Sequence, residues 1–388
     1  MGRFLSAIPI ALAAVALSAA AHAQSAFYDA SPDQIAGPPG TIIRQERMLA
    51  PAPVGAAAYR VLYRSTGLNN EPIAVSGVVI VPDRPASAGG RPIVAWAHPT
   101  TGVVPRCAPS LALFVFQQIQ GLREMINRGY VVAATDYPGL GTPQTHPYLV
   151  GMSEARAVLD SVRAARALTG APNRFAVWGH SQGGQAALFT GLTAASYAPD
   201  LDLVGVAAAA PATDLGMLLG DDINSMGGRN LTAMTLWSWS RVFGAPIDRI
   251  VDPAALPTME RVAGECIESI SDLLLRRRTA RPLEQRFLSI SNFYAAEPWR
   301  SLMAKNSPGL LPPRVPLFLA QGGADGLVRP QVTQDYMRRQ CAAGGKVRML
   351  FLPADNHGFI ARDAAASAVD WMADRFAGVS APSDCNRG

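Results

Sequence analysis

Hydrophobic and polar positions alternate in short blocks along most of the chain. Ala57–Ser65 and Ile73–Val81 alternate or run apolar on either side of Gly67-Leu-Asn-Asn-Glu71, which predicts an antiparallel hairpin. After that the pattern is strand then helix, repeatedly. Pro92–His98 reads as a strand and Leu111–Arg128 as an amphipathic helix; Tyr130–Thr135 is the next strand and Ser153–Leu168 the next helix. Phe175–Trp178, Leu203–Ala210, Val315–Ala320 and Val347–Leu352 read as further buried strands, with helices over Val332–Cys341 and Ala361–Phe376. Short apolar strands alternating with amphipathic helices predict an α/β fold, a mostly parallel sheet covered on both faces. One stretch departs from this rhythm. Between Pro211 and Leu310 there is no β run but there are helical patterns over Met234–Phe243, Met259–Leu275 and Pro282–Phe293. A helical insertion between two core strands, at about 211–310, reads as a cap over a site.

The chemistry concentrates where one strand meets one helix. Gly179-His180-Ser181-Gln182-Gly183-Gly184 follows the apolar run Arg174–Trp178 and leads into Gln185-Ala-Ala-Leu-Phe-Thr190. Strand, tight turn and helix with a serine at the apex is the context in which G-x-S-x-G marks a nucleophile, the glycines removing side chains that would clash. A serine needs a base. His22 lies in the N-terminal apolar segment, His98 ends a strand well before the serine, His146 sits in a proline-rich loop, and His180 is inside the turn itself. His357 remains, on a loop just past the last strand, where a base can reach the exposed hydroxyl. Asp325, in the turn after Pro316-Leu-Phe-Leu-Ala320, is expected to orient it; Asp355 is the rival, two residues before His357. The order Ser, Asp, His favours Asp325. An oxyanion hole needs two backbone N–H groups. Gln182, directly after the serine, supplies one, and Thr101, on the loop after His98, is expected to supply the other, since Pro99 has no N–H. Asp136, following a strand, reads as a structural turn residue.

Composition narrows the compartment and the partners. Arg3 precedes an almost wholly apolar run from Phe4 to Ala21 that ends in Ala21-His22-Ala23, so residues 1–23 read as a signal peptide. Export implies a secreted or periplasmic protein. Cys107, Cys266, Cys341 and Cys385 make an even count, which in an exported chain suggests disulfides, and four cysteines permit three pairings. No cysteine–histidine spacing fits zinc, and nothing calls for a cofactor. The formal charge of +5 is nearly all arginine without a long basic stripe, which argues against a nucleic-acid partner. No stable protein partner is implied.

Taken together, several motifs resemble the secretory lipase family, the lipase-A type of α/β-hydrolase. They are His98-Pro-Thr-Thr-Gly102 with Cys107-Ala-Pro-Ser110, Asp136-Tyr-Pro-Gly-Leu-Gly141 with His146-Pro-Tyr148, Gly179–Gly184, Ala324-Asp-Gly326 and Asn356-His-Gly358. The resemblance runs over nearly all of the chain after the signal. It implies an exported α/β-hydrolase that cleaves carboxylic esters, triacylglycerols included, with Ser181, Asp325 and His357 as nucleophile, acid and base and a helical cap over the acyl site. It also implies the pairings Cys107–Cys266 and Cys341–Cys385. The family's oxyanion loop often carries aspartate where Thr101 stands here.

The expected substrate is an ester with an apolar acyl chain, met at a lipid–water interface in the lipase case. Met217, Leu218, Leu219, Leu231, Leu236 and Trp237 are among the bulky apolar residues of the insertion that make an acyl tunnel plausible. An acyltransferase, or an amidase or peptidase, would use the same residues on another acceptor or bond. A non-catalytic, apolar-binding shell is the third reading, and an intact Ser181, Asp325 and His357 weighs against it.

Overall fold

The computed structural model describes residues 26–48, 53–86, 89–268 and 270–386; the expected signal peptide, 1–23, lies outside the described residues. A nine-stranded sheet runs through the protein in the order β1-β2-β3-β5-β4-β6-β7-β8-β9. The strands are β1 (Ile42–Arg47), β2 (Ala56–Thr66), β3 (Pro72–Pro82), β4 (Ile93–Ala97), β5 (Val131–Thr135), β6 (Arg174–His180), β7 (Asp202–Ala209), β8 (Leu317–Gly322) and β9 (Val347–Leu352). The expected hairpin is β2–β3, and β1 extends it antiparallel. β1 escaped the sequence reading because its Ile42-Ile-Arg-Gln-Glu-Arg47 is polar at its C-terminal half, as an exposed edge strand must be. β3 meets β5 antiparallel, and from β5 across the sheet to β9 every neighbouring pair is parallel.

Each central strand feeds both layers. Along β6, Phe175 and Val177 enter one core cluster while Ala176 and Trp178 enter the other. Helices α4 (Gly151–Thr169) and α5 (Gln182–Tyr197) cover one face together with α11 (Pro330–Ala342). The other face is closed by α3 (Leu122–Asn127) and α12 (Ile360–Phe376). The short α1 (Pro32–Ile35) lies near the N-terminal edge, and α2 (Val115–Gln118) precedes α3. Among the described residues no helix is long and apolar enough to cross a membrane.

The helix expected over Leu111–Arg128 is broken into α2 and α3. Gly121 adopts φ 79°, and a Cβ there would press on Val369 and Ala365 of α12, at 3.1 and 3.3 Å. The break thus permits a close crossing that an uninterrupted helix would not. Between β7 and β8 the chain is helical as expected, in α6 (Leu215–Asp221), α7 (Met226–Val242), α8 (Leu256–Ala263), α9 (Ile270–Ala280) and α10 (Trp299–Asn306). Two details differ. Met259–Leu275 is two helices, with Cys266 in the gap between them. Pro282–Phe293 is not a helix, because its backbone pairs with an extended neighbour: Asp252 N–H donates to Phe287 O at 2.9 Å and Ser289 N–H to Ile250 O at 2.8 Å.

The disulfides are Cys107–Cys266 and Cys341–Cys385, the pairing the family resemblance implies. The second ties the end of α11 to the C-terminal tail, where Asp384 N–H also donates to Val347 O of β9. Removing a cross-link over a separation of 44 residues releases unfolded-chain entropy. Replacing Cys341 and Cys385 together by serine should therefore lower the unfolding free energy by about 2–4 kcal/mol, read from urea melts. An unchanged midpoint would contradict it.

Candidate active site

The site lies where the order of strands reverses. β4 leads to β5 on one side, and the chain then returns past β4 to lay down β6 on the other, so the crevice opens beyond the C-terminal ends of β4 and β6. Ser181 occupies that place. It follows β6 and stands at the residue just before the first turn of α5 with φ 57° and ψ −118°, a conformation non-glycine residues rarely hold. The strain is contained by Ser181 N–H donating to Ala209 O of β7 at 2.9 Å, and by close packing of the flanking glycines. A Cβ at Gly183 would collide with the carbonyl oxygen of Ala97, and one at Gly179 with that of Gly183.

Loops from the far end of the chain complete the arrangement. Ser181 Oγ lies 2.8 Å from His357 Nε2, and His357 Nδ1 lies 2.8 Å from Asp325 Oδ2. Asp325 Oδ1 accepts from the N–H groups of Leu327 and Val328, each at 2.9 Å. Burial pushes the Asp325 carboxyl up, but its bonds to His357 and these two N–H groups outweigh it and hold it below the ordinary value. An ionised Asp325 must accept from Nδ1–H, which leaves Nε2 as acceptor for the serine hydroxyl. Asp355, the rival carboxylate, instead faces Asp363 and Arg362.

The other histidines are placed apart from this chain of bonds. His180 packs its ring on that of His357, centroids 4.9 Å apart, and burial first, then the neighbouring His357, lowers it to about 3. His98 is buried against Tyr137 and lowered by burial to about 4. Asp136 is a structural residue, though it does more than cap its own turn. It accepts from Ser76 Oγ at 2.6 Å and from Ser110 N–H at 2.8 Å, pinning the loop after β4 to the sheet.

Gln182, directly after the serine, presents one of the unpaired N–H groups of a helix's first turn. Thr101 is buried, its carbonyl accepting from Ile267 N–H at 2.7 Å and its hydroxyl without a partner. Thr100, rather than Thr101, forms the wall of the cavity at Ser181 and donates or accepts with Tyr148 Oη at 2.9 Å. That cavity is apolar, walled by Leu149, Ala212, Leu218, Leu219, Leu231 and Val328, and offers about 30 Å³ of water-accessible space, room for roughly two water molecules. Among the described residues no group of His, Cys, Asp and Glu is arranged to hold a metal ion.

Two residues here were not singled out from the sequence. Glu154, on α4, is fully buried, and its Oε1 accepts from Gln182 Nε2 at 2.7 Å and Leu149 N–H at 3.1 Å. His146, set aside in its proline-rich loop, lies with Nε2 3.2 Å from the same Gln182 nitrogen. A carboxylate in the first turn of a helix ordinarily reads as solvated; only its place on the apolar face of Ser153–Leu168 hinted otherwise.

A parallel sheet of this order, with a serine at the strand-to-helix turn after β6, defines an α/β-hydrolase. The sequence matches the profile of the secretory lipase family over residues 112–384, and the chain belongs to that family. It is 30% identical to a protein named probable inactive lipase from Mycobacterium tuberculosis over 46% of this chain and 43% of the relative. It is also 30% identical to lipase A of Arthroderma benhamiae over 47% of this chain and 42% of the relative, so both alignments span under half the relative's length. Among solved structures, lipase A of Candida antarctica superposes with a TM-score of 0.75, covering 92% of this chain and 87% of that one at 20% identity, a likeness of fold.

Burial raises Glu154 from 4.5 to about 8, against the bonds from Gln182 and Leu149 that lower it. The folded state thus favours the neutral acid. Stability is fully present below pH 4.5, where the unfolded chain is also protonated, and falls as pH rises until the folded group ionises near pH 8. The loss is on the order of 5 kcal/mol. Glu154→Gln should remove most of this slope in urea melts compared at pH 5 and pH 8; an identical slope in both proteins would count against it.

Proposed function

We propose that the chain is an exported carboxylic-ester hydrolase that works through an acyl-enzyme on Ser181. His357 takes the serine proton as Oγ attacks the ester carbonyl, and Asp325 holds the imidazole in the required tautomer and stabilises its charged form. Gln182 N–H, at the positive end of α5, meets the negative oxygen of the tetrahedral intermediate, and the loop that carries Thr100 and Thr101 supplies the second N–H. The intermediate collapses to release the alcohol, with His357 returning the proton. Water activated by the same histidine then frees the acid. The segment at about 211–310 acts as the cap, its leucines receiving the acyl chain. The observation that carries this reading is the unbroken chain of hydrogen bonds from Asp325 through His357 to Ser181. Family membership and two disulfides support export.

One relative's name describes an inactive lipase, which favours a second reading, a binding shell without turnover. Ser181→Ala separates the two. It should lower kcat on a p-nitrophenyl ester by on the order of 10⁶. Hydrolysis that persists in this variant would sink the nucleophile assignment, and a wild-type protein without activity would support the shell.

The cavity beside Ser181 is narrow and its wall includes Leu218, Leu219 and Leu231, so a long acyl chain needs these leucines to yield. Across p-nitrophenyl esters from acetate to palmitate, kcat/KM should peak at short chains. Leu231→Ala should move the peak toward longer acyl groups, since each newly buried methylene contributes about 0.8 kcal/mol. A profile that Leu231→Ala leaves unchanged would remove that residue from the acyl wall.

A further inference from the structure

Behind the serine turn lies a buried polar cluster that the mechanism above does not use. Its centre is the side-chain amide of Gln182. His146 Nδ1 is 2.8 Å from Pro138 O, and a carbonyl only accepts, so Nδ1 carries the proton and Nε2 is an acceptor. Gln182 Nε2 therefore donates one hydrogen to His146 Nε2 at 3.2 Å and the other to Glu154 Oε1 at 2.7 Å. Both amide hydrogens are used, and they fix the plane of the amide from two sides.

The same Glu154 oxygen holds a second strained point. Leu149 adopts φ 55°, uncommon for a side chain of its bulk. Its N–H donates to Glu154 Oε1 at 3.1 Å, and its carbonyl accepts from Gln185 Nε2 at 3.2 Å. Leu149 and Gln182 both line the cavity, and Gln182 carries the N–H assigned above to the oxyanion in the proposed reaction. One buried oxygen thus joins the wall of the acyl site to the residue after the nucleophile. Held backbone strain of this kind persists only where its surroundings over-determine it.

We propose that Glu154, with His146, is a positioning residue that aligns Gln182, and so the oxyanion-binding N–H, together with the Leu149 wall. This rests on the hydrolase reading of Ser181. The groups facing Glu154 leave it free to act as a neutral acid. His146 is lowered by burial to about 3, Tyr137 and Tyr148 are pushed well up by burial, and no ion pair reaches the carboxyl among the described residues. Neutral Glu154 can accept from both N–H donors without setting a charge beside the site. When it ionises, near pH 8, a buried negative charge stands behind the very residue that must stabilise a second one, and turnover falls.

The test uses the full chain with p-nitrophenyl acetate. Glu154→Leu should lower kcat by about 10²-fold, on the scale of losing one oxyanion donor, with KM unchanged within about threefold. Glu154→Gln keeps the accepting oxygen without the ionisation, so it should recover most of kcat at pH 7 and lose the decline in kcat that the wild type shows above about pH 8. The Gln variant's pH profile decides the matter even where the Leu variant fails to fold. An alkaline decline identical in wild type and Glu154→Gln overturns the proposal, as does wild-type kcat in a folded Glu154→Leu. Ser181→Ala, run beside them, keeps the two readings apart. If it is inactive while the Glu154 variants behave as wild type, only the positioning role fails; if it remains active, the hydrolase reading fails with it.

Discussion

The constraint on which everything else depends is the approach of one backbone to another at the turn after β6. Gly183 lies so close to the carbonyl of Ala97, at the end of β4, that no side chain fits between them. This contact draws the start of α5 against the loop after β4, and it forces Ser181 to make the turn with φ 57°. A hydroxyl held this way cannot fold back on its own helix, so it stands over the crevice where the strand order reverses. The same contact sets the N–H of Gln182 beside the loop carrying Thr100 and Thr101. Ser181 and the N–H of Gln182, the proposed nucleophile and oxyanion donor, are thus positioned by a steric fact about two main chains rather than by their own side chains. α12 and the loop of His357 need only close on a target that is already fixed.

Charge is distributed around that target with economy. Burial keeps His98, His146 and His180 neutral and Glu154 protonated to about pH 8. Asp325 goes the other way, because its oxygens meet two backbone N–H groups and the imidazole of His357. Near the serine, then, Asp325 is held ionised while Glu154 is kept protonated. In the proposed mechanism that difference gives direction to proton transfer: the imidazolium that would form as Ser181 attacks has Asp325 as its negative partner.

The parallel core was legible because buried strands such as Tyr130–Thr135 and Leu203–Ala210 are continuous apolar runs, which few other environments explain. Ser181, Asp325 and His357 were legible because each sits just past such a strand, and an edge common to all three is where they can meet. β1 was not, since an exposed edge strand has no apolar face to advertise. The break at Gly121 was hidden because its cause is α12, more than 200 residues away in sequence, as the contacts to Ala365 and Val369 show. Glu154 and His146 were invisible for a related reason: their partners, Gln182 and Leu149, are gathered from three segments, and no local pattern encodes that meeting. The cysteine pairing, too, depends on distant geometry, and only family resemblance pointed to it.

The cavity at Ser181 has walls of two physical kinds. Thr100, Tyr148 and Leu149 belong to loops fastened on several sides. Cys107–Cys266 joins the loop after β4 to the gap between α8 and α9, Ile267 N–H donates to Thr101 O, and Trp239 Nε1 of α7 donates to Tyr148 O at 2.8 Å. Trp239 in turn stacks on Trp299, their planes 7° apart, which anchors the C-terminal half of α7 in the core. Leu218, Leu219 and Leu231 stand instead on α6 and the first turns of α7, where dispersion and burial dominate over directed bonds. Packed leucines can repack or be trimmed at a modest cost in volume, whereas the fastened side cannot shift without breaking hydrogen bonds or a covalent link. Under the proposed function, the chemistry of the site and its tolerance for acyl length are therefore carried by different walls of one cavity. Changes in the leucines can alter the second while leaving the first intact.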